Sequence, residues 1–280
     1  MKKSTKQSLG ILALVVVAVV AGVLGGRLSG GGSAGAASQG SWAEDVKNRG
    51  ELRVGVAAFA PMLEERNGTW TGPVLLPLEA FAKNLGVKFT PVPASWNTIV
   101  AGLKANKYDM AAGLDITGER SLTIMYTDPY YEDNGVWVVR RDSGLTSTAD
   151  IMKTGQPVAS SQGSAHEAAA KAAGFTTLSV DSWTNAIQAV KAGRAPGQFT
   201  DYGTALGQVR SDPGLAIVVP ETPMWTAPVS YGVSEEIDVH SLQMLNVAIR
   251  ESIASGERDR AFEKVGYIGV ANLGPLKMGA

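Results

Sequence analysis

From about residue 50 to residue 266 short apolar runs alternate with longer amphipathic stretches, and no other feature limits the possible folds so strongly. The apolar runs predict strands at 52-LRVGVA-57, 87-VKFTPVP-93, 108-YDMAAGL-114, 136-VWVVRR-141, 157-PVASS-161, 176-TTLSV-180, 197-GQFTD-201 and 215-LAIVVP-220. Helical spacing falls at 76–85, 96–105, 118–124, 149–153, 165–173, 183–192, 202–210 and 241–265, the last broken by Ser255-Gly256. Glycines 86, 174, 193 and 214 punctuate these elements as C-caps or turns. Strand–helix alternation of this kind stacks into α/β layers with largely parallel sheets. In such sheets ligands collect beyond the carboxyl ends of the strands.

Composition narrows the chemistry. The chain has 280 residues, no cysteine and two histidines, His166 and His240, so disulfides, thiolate metal sites and a histidine-rich metal centre are excluded. Lys2, Lys3 and Lys6 precede the charge-free apolar run 9–26, and 27-RLSGGGSAGAASQGS-41 follows. That order is the order of a secretory signal peptide with a site at Ala34-Gly35-Ala36, or of an uncleaved anchor with a Gly/Ser tether. Either way the basic side stays cytoplasmic and the body is exported to the periplasm. The net charge is −1; residues 1–36 hold four basic residues and no acid, so the remainder has 21 basic and 26 acidic residues, a charge of −5. A mildly acidic body speaks against nucleic acid as a partner.

No Walker loop, GxSxG elbow, HExxH or CxxC occurs. The pair His166–Glu167 reads as the solvated first turn of a helix. Several groups suit a zwitterion instead. In 113-GLDITGER-120 an arginine, Arg120, stands in the first turn of a helix capped by Thr117, against the macrodipole and five residues after Asp115. An arginine fork is what a carboxylate ligand needs, and the 160-SSQGSAHE-167 turn adds backbone N–H groups at a helix start through Gly163 and Ser164. Asp115 and Asp201 end predicted strands and could hold an ammonium group. Phe59 and Trp96 follow strands and offer aromatic faces.

The order of these pieces resembles the extracytoplasmic solute-binding proteins of ABC importers, in the family that binds polar amino acids. The resemblance rests on 50-GELRVGVAAFAPM-62, 96-WNTIVAGLKANKYDMAAGLDITGER-120, 126-YTDPYYEDNGVWVVRR-141, 157-PVASSQGS-164, 193-GRAPGQFTDYGTAL-206 and 230-SYGVSEE-236. It implies a two-lobed periplasmic-binding-protein fold of type II, each lobe a mostly parallel sheet flanked by helices. Residues 1–36 would be signal or anchor, 37–48 a Gly/Ser linker, 49–137 with 232–280 one lobe and 142–228 the other. The hinges would lie near 138–141 and 229–231. By the same resemblance Arg120 clamps a ligand α-carboxylate, assisted by the amides of Gly163 and Ser164. Asp201 takes the α-ammonium, Trp96 and Phe59 sandwich the side chain, and Asp115 with Gly113 lies at the strand end beside the clamp. The form G-[LM]-D-I-T-x-E-R is similar to arginine-binding members and implies a basic or polar L-amino acid.

The chain departs from the family pattern at Ala57, where the family reads basic side chains, and at Pro73-Val74, 193-GRAPG-197 and 266-GYIGV-270, changes that bear on side-chain specificity rather than on the clamp. The expected protein is a monomeric binding protein without cofactor, metal or catalytic residue, delivering an amino acid to an ABC permease in the inner membrane. The alternatives are a dehydratase-like enzyme on the same fold, with Asp115 as its acid, and a membrane-tethered sensor module.

Overall fold

The computed structural model describes residues 41–267, so the expected signal or anchor segment, residues 37–40 of the expected linker and the tail 268–280 lie outside the described residues. The first described element corrects the linker expectation. Trp42–Arg49 is a helix, α1, opened by a capping box in which Ser41 Oγ accepts from Glu44 N–H and Glu44 reaches back to Ser41 N–H. This reciprocal cap satisfies two otherwise orphaned donors. The helix is tied to the body by Trp42 N–H to Asp238 at 2.8 Å and Ala43 N–H to Ser241 Oγ at 3.0 Å. The glycine- and serine-rich composition upstream hid the S-W-A-E cap at its end.

Strand β1 (Glu51–Val56) is followed by a hairpin of β2 (Glu64–Arg66) and β3 (Thr69–Thr71), then α2 (Leu76–Leu85) and β4 (Lys88–Pro93). Next come α3 (Ile99–Lys104), β5 (Met110–Asp115), the short α4 (Gly118–Ser121), β6 (Met125–Tyr126) and the long β7 (Tyr131–Arg140). The middle of the chain alternates α5 (Thr148–Lys153), β8 (Val158–Ser161), α6 (Ala165–Ala172), β9 (Thr177–Val180), α7 (Trp183–Lys191), β10 (Gly197–Asp201), α8 (Tyr202–Ser211) and β11 (Leu215–Val218). It closes with β12 (Thr226–Val233), α9 (Val239–Ala254) and α10 (Glu257–Val265).

Two lobes follow from the pairing. In one, β4, β1 and β5 run parallel, and β12 and β6 extend them antiparallel. In the other, β10, β8 and β9 run parallel, β7 is antiparallel to β10, and β11 pairs antiparallel with β7. Strands β7 and β12 connect the lobes and pair with each other from Thr226↔Asn134 to Val229↔Tyr131. Strand β7 then exchanges partners: Gly135–Val139 pair with β10. Residues 135–139 are therefore built into the second sheet, and the change of partner comes between Asn134 and Gly135, ahead of the segment 138–141 expected as a hinge. Strand β12 makes its exchange at Val229, which faces both Tyr131 and Asp115.

Each sheet is buried on both faces. Ile99, Leu103, Tyr108, Leu114 and Ile124 cover one side of the first sheet, and Trp137, Ile151, Phe175 and Phe199 one side of the second. A third cluster runs without a break from Leu52, Leu78 and Ile249 in the first lobe to Trp183, Ile187 and Tyr202 in the second. Burial on both faces explains why β5 and β8 read as near-continuous apolar or small-residue runs rather than alternating ones.

Candidate functional site

The two lobes meet over a cavity enclosing about 310 Å³ free of protein atoms, part of it open to solvent. Seven of the residues expected at a site line it: Phe59, Trp96, Gly113, Asp115, Arg120, Ser164 and Asp201. They come from the ends of β5 and β10, the short α4, the N-cap of α6 and the loops after β1 and β4, which is where a sheet of this kind exposes its ligand-binding edge. Phe59 and Trp96 stand edge to face with ring centroids 5.6 Å apart. Gly113 has φ +70 within β5, and a Cβ there would lie 2.8 Å from the Phe59 ring, so only glycine fits beneath the aromatic wall.

Arg120 is held by carbonyls. Its Nη1 donates to the Asp115 backbone oxygen at 3.3 Å and its Nη2 crosses to the Gly163 oxygen of the other lobe at 3.2 Å. Among the described residues the guanidinium has no carboxylate at ion-pair distance. Thr117 does cap α4, accepting from Arg120 N–H at 3.2 Å. But α4 has four residues rather than the seven expected, so its dipole is small and does not explain the position of the arginine. What singles Arg120 out is a charged fork in a cleft with only neutral partners.

The loop before α6 differs from expectation in which amides it frees. Gly163 N–H donates to the Glu167 carboxylate at 2.8 Å, and Ser164 N–H to the Ser161 oxygen at 3.2 Å. Both are engaged within their own lobe. The first-turn amides of Ala165 and His166 have no partner among the described residues, and both residues line the cavity. Gly163 contributes closeness: at φ +77 its Cα approaches the backbone of Asn97 in the first lobe so tightly that a Cβ would sit 2.6 Å from Asn97 Cα. The pair His166–Glu167 is not a solvated first turn. Both side chains are buried, Glu167 because its carboxylate gathers Gly163 N–H, Lys171 Nζ at 2.7 Å and the Ser179 hydroxyl.

The cavity walls hold more carboxylates than expected. Asp115 and Asp201 are joined by Asp133, with His166 between them. Asp133 Oδ2 lies 3.2 Å from His166 Nε2, both side chains 3% exposed, but the contact is not aligned as a hydrogen bond and Asp133 Oδ1 has no partner. Burial pushes the Asp115 carboxyl up to about 6, opposed by His166 and Arg120 and reinforced by Asp133. Asp133 and Asp201 are likewise raised, chiefly by burial. Burial would lower the His166 imidazole, yet the adjacent Asp133, helped by Asp115 and Asp201, carries it above its usual value. Asp201 caps α8, its Oδ1 accepting from Thr204 N–H at 2.7 Å, so it keeps a helix in place while facing the cavity.

Asp133, His166, Tyr131 and Trp183 are site residues that sequence reasoning missed. The spacing of β7 carried a usable signal: Tyr131, Asp133, Trp137 and Val139 share one face of an extended run, so Asp133 had to point where buried side chains point.

Over residues 52–266 the chain matches the bacterial extracellular solute-binding proteins, family 3. It belongs to that family. Among relatives of this solute-binding protein is the ABC transporter arginine-binding protein 1 of Escherichia coli strain K12, 26% identical over 77% of this chain and 88% of that one. The arginine-bound form of a truncated ArgBP from T. maritima is 28% identical, with a TM-score of 0.69 over 74% of this chain and 99% of that one. The ancestral amino acid-binding protein AncCDT-1, a precursor of cyclohexadienyl dehydratase, is 28% identical with a TM-score of 0.72, covering 80% and 99%. The solute-binding protein thus has the two-lobed type II architecture expected from its sequence. No helix among its described residues is long and apolar enough to cross a membrane.

Proposed function

We propose that this protein binds an amino acid in the cleft between its lobes and delivers it to an ABC permease of the inner membrane, acting as a monomer in the periplasm. Arg120 would take the α-carboxylate with its fork, assisted by the amides of Ala165 and His166 and the Ser164 hydroxyl. Asp201 would take the α-ammonium, and Phe59 and Trp96 would flank the side chain. The observation that carries this reading is the cavity itself: one arginine without a carboxylate partner among the described residues shares the cleft with three carboxylates, of which Asp133 and Asp201 are buried. That arrangement is complementary to a molecule bearing both signs of charge. The kinship with arginine-, histidine- and cystine-binding transport proteins supports it.

The lobes would be 49–134 with 232–267 and 142–228, moving about β7 and β12 where the partners change. A ligand touching Arg120 and Asp201 touches both lobes, so its binding favours the closed arrangement. Isothermal titration against the twenty amino acids tests the proposal, with micromolar or tighter binding of at least one expected. Arg120→Ala should weaken that binding at least about 100-fold, the cost of removing one side of a desolvated charge pair. Absence of binding by all twenty, or micromolar affinity retained without Arg120, sinks the reading.

A second reading has one observation in its favour. A carboxyl near 6 in a closed cleft is suited to proton transfer, and AncCDT-1 is described as the precursor of a dehydratase. Formation of product from arogenate or prephenate would decide for an enzyme with Asp115 as its acid.

A further inference from the structure

We propose that Asp133 recognises a positive charge at the far end of the ligand side chain, so that the cleft selects a basic amino acid over its neutral isostere. This rests on the amino-acid reading above and names the residue that sets its specificity.

The inference begins with charge balance. Three carboxylates, Asp115, Asp133 and Asp201, line the cavity against Arg120 and His166. Even with His166 protonated the walls keep one negative charge in excess. A zwitterionic head group brings one charge of each sign and leaves that excess in place. A neutral side chain would therefore seal an uncompensated carboxylate away from water, which is costly. A cationic side chain cancels it.

Geometry then assigns the excess to Asp133. Asp201 is committed through its Oδ1 to the first turn of α8 and stands where the head group's ammonium would lie. Asp115 stands beside Arg120, whose Nη1 donates to the Asp115 backbone oxygen at 3.3 Å, and so belongs to the carboxylate end of the ligand. Among the described residues Asp133 makes its ion-pair contact with His166, at 3.2 Å, and not with Arg120. Asp133 is 2% exposed, its Oδ1 is unpartnered, and its only neighbouring cation meets Oδ2 out of alignment. A buried carboxylate oxygen without a donor is uncommon in folded proteins, because an unmade bond there costs more than a made one gains. A guanidinium or ammonium terminus supplies the missing donors. Tyr131, on the same face of β7, and Trp183 line the cavity beside it and offer aromatic surfaces on which such a cation stacks well.

The experiment compares L-arginine with L-citrulline, which keeps the shape and loses the charge, by isothermal titration of the wild-type protein, Asp133→Asn and His166→Gln. Wild type should prefer arginine by about 100-fold, as expected for a buried charged partner. Asp133→Asn should lose about that factor for arginine and bind citrulline within about threefold of wild type. His166→Gln should keep the preference for arginine or increase it, because a competing cation has gone. Equal loss of both ligands in Asp133→Asn would make the residue merely structural and overturn the proposal. So would a preference abolished by His166→Gln. If Asp133→Asn does not fold, the wild-type ratio carries the test, and affinities for arginine and citrulline within threefold overturn it. Failure of every amino acid to bind would instead bring down the underlying reading.

Discussion

Two buried carboxylates, Asp109 and Asp133, show what separates architecture from function in this protein. Both are nearly inaccessible, at 6% and 2% exposed. Asp109 is saturated: Oδ2 accepts from Arg49 Nη2 at 2.6 Å and Arg53 N–H at 2.8 Å, and Oδ1 from Arg53 Nη2 at 2.7 Å. The hydrogen bond to Asp109 raises the Arg53 guanidinium above its ordinary value although burial opposes it. Asp133 has one misaligned histidine and an empty oxygen. The Asp109 cluster stitches α1, β1 and the turn before β5 into one lobe and needs nothing more. The cleft cluster is incomplete as folded, and incompleteness in a buried polar network is a statement about what the network waits for.

The comparison breaks most visibly at Asp109. Asp109→Ala strands Arg53 and a backbone N–H and should cost about 3 kcal/mol, the lower end for breaking a buried pair because both arginines reach solvent. In a body of this size that is a fall in Tm of roughly 6–12 °C by calorimetry, with ligand affinity unchanged. A variant that kept its Tm but lost binding would reverse the assignment of the two clusters.

Asp115 offers a smaller effect with the opposite sign. Its carboxyl stands near 6 in the folded protein against an ordinary 3.8. The folded state therefore holds this proton more tightly, so the contribution to stability is complete below the unfolded value and is lost as pH rises through about 6. Asp115→Asn should stabilise the ligand-free protein at pH 7 by roughly 2 kcal/mol, allowing for the water its side chain meets in the cavity. It should also flatten the Tm profile between about pH 4 and 6. Parallel Tm–pH curves for wild type and variant would contradict the role given to burial here.

The fold was more legible than the site, for reasons visible in particular residues. Runs such as 110-MAAGL-114 announce strands because sheets covered on both faces favour apolar and small residues. Strand β12 escaped because Pro228 interrupts 226-TAPVSYGV-233, and proline reads as a strand breaker although it sits where β12 pairs only at the crossover with β7. The clamp region was readable because Asp115, Thr117 and Arg120 are local in sequence. Asp133 and His166 were harder to read: the spacing of β7 puts Asp133 on a buried face, but His166 looks like the solvated start of a helix in its own segment. Their meaning arises only when β7 and α6 are brought together across more than thirty positions of chain, a pairing that no local pattern encodes.

The finest test of the comparison uses two serines doing the same job in different places. Ser147 caps α5, its Oγ accepting from Asp150 N–H at 3.0 Å, away from the cleft. Ser164 caps α6 through the same bond to Glu167 N–H at 3.0 Å, and it lines the cavity. Replacing either by alanine removes one cap and should cost about 1 kcal/mol, a drop of roughly 2–4 °C in Tm. The two should then part company in titration with L-arginine. Ser147→Ala should bind as wild type does. Ser164→Ala loses a hydroxyl facing the ligand and loosens the turn that presents the Ala165 and His166 amides, so its affinity should fall by about fivefold, the worth of one neutral hydrogen bond. Equal affinities with equal losses of stability would show that Ser164, like Asp109, belongs to the architecture alone.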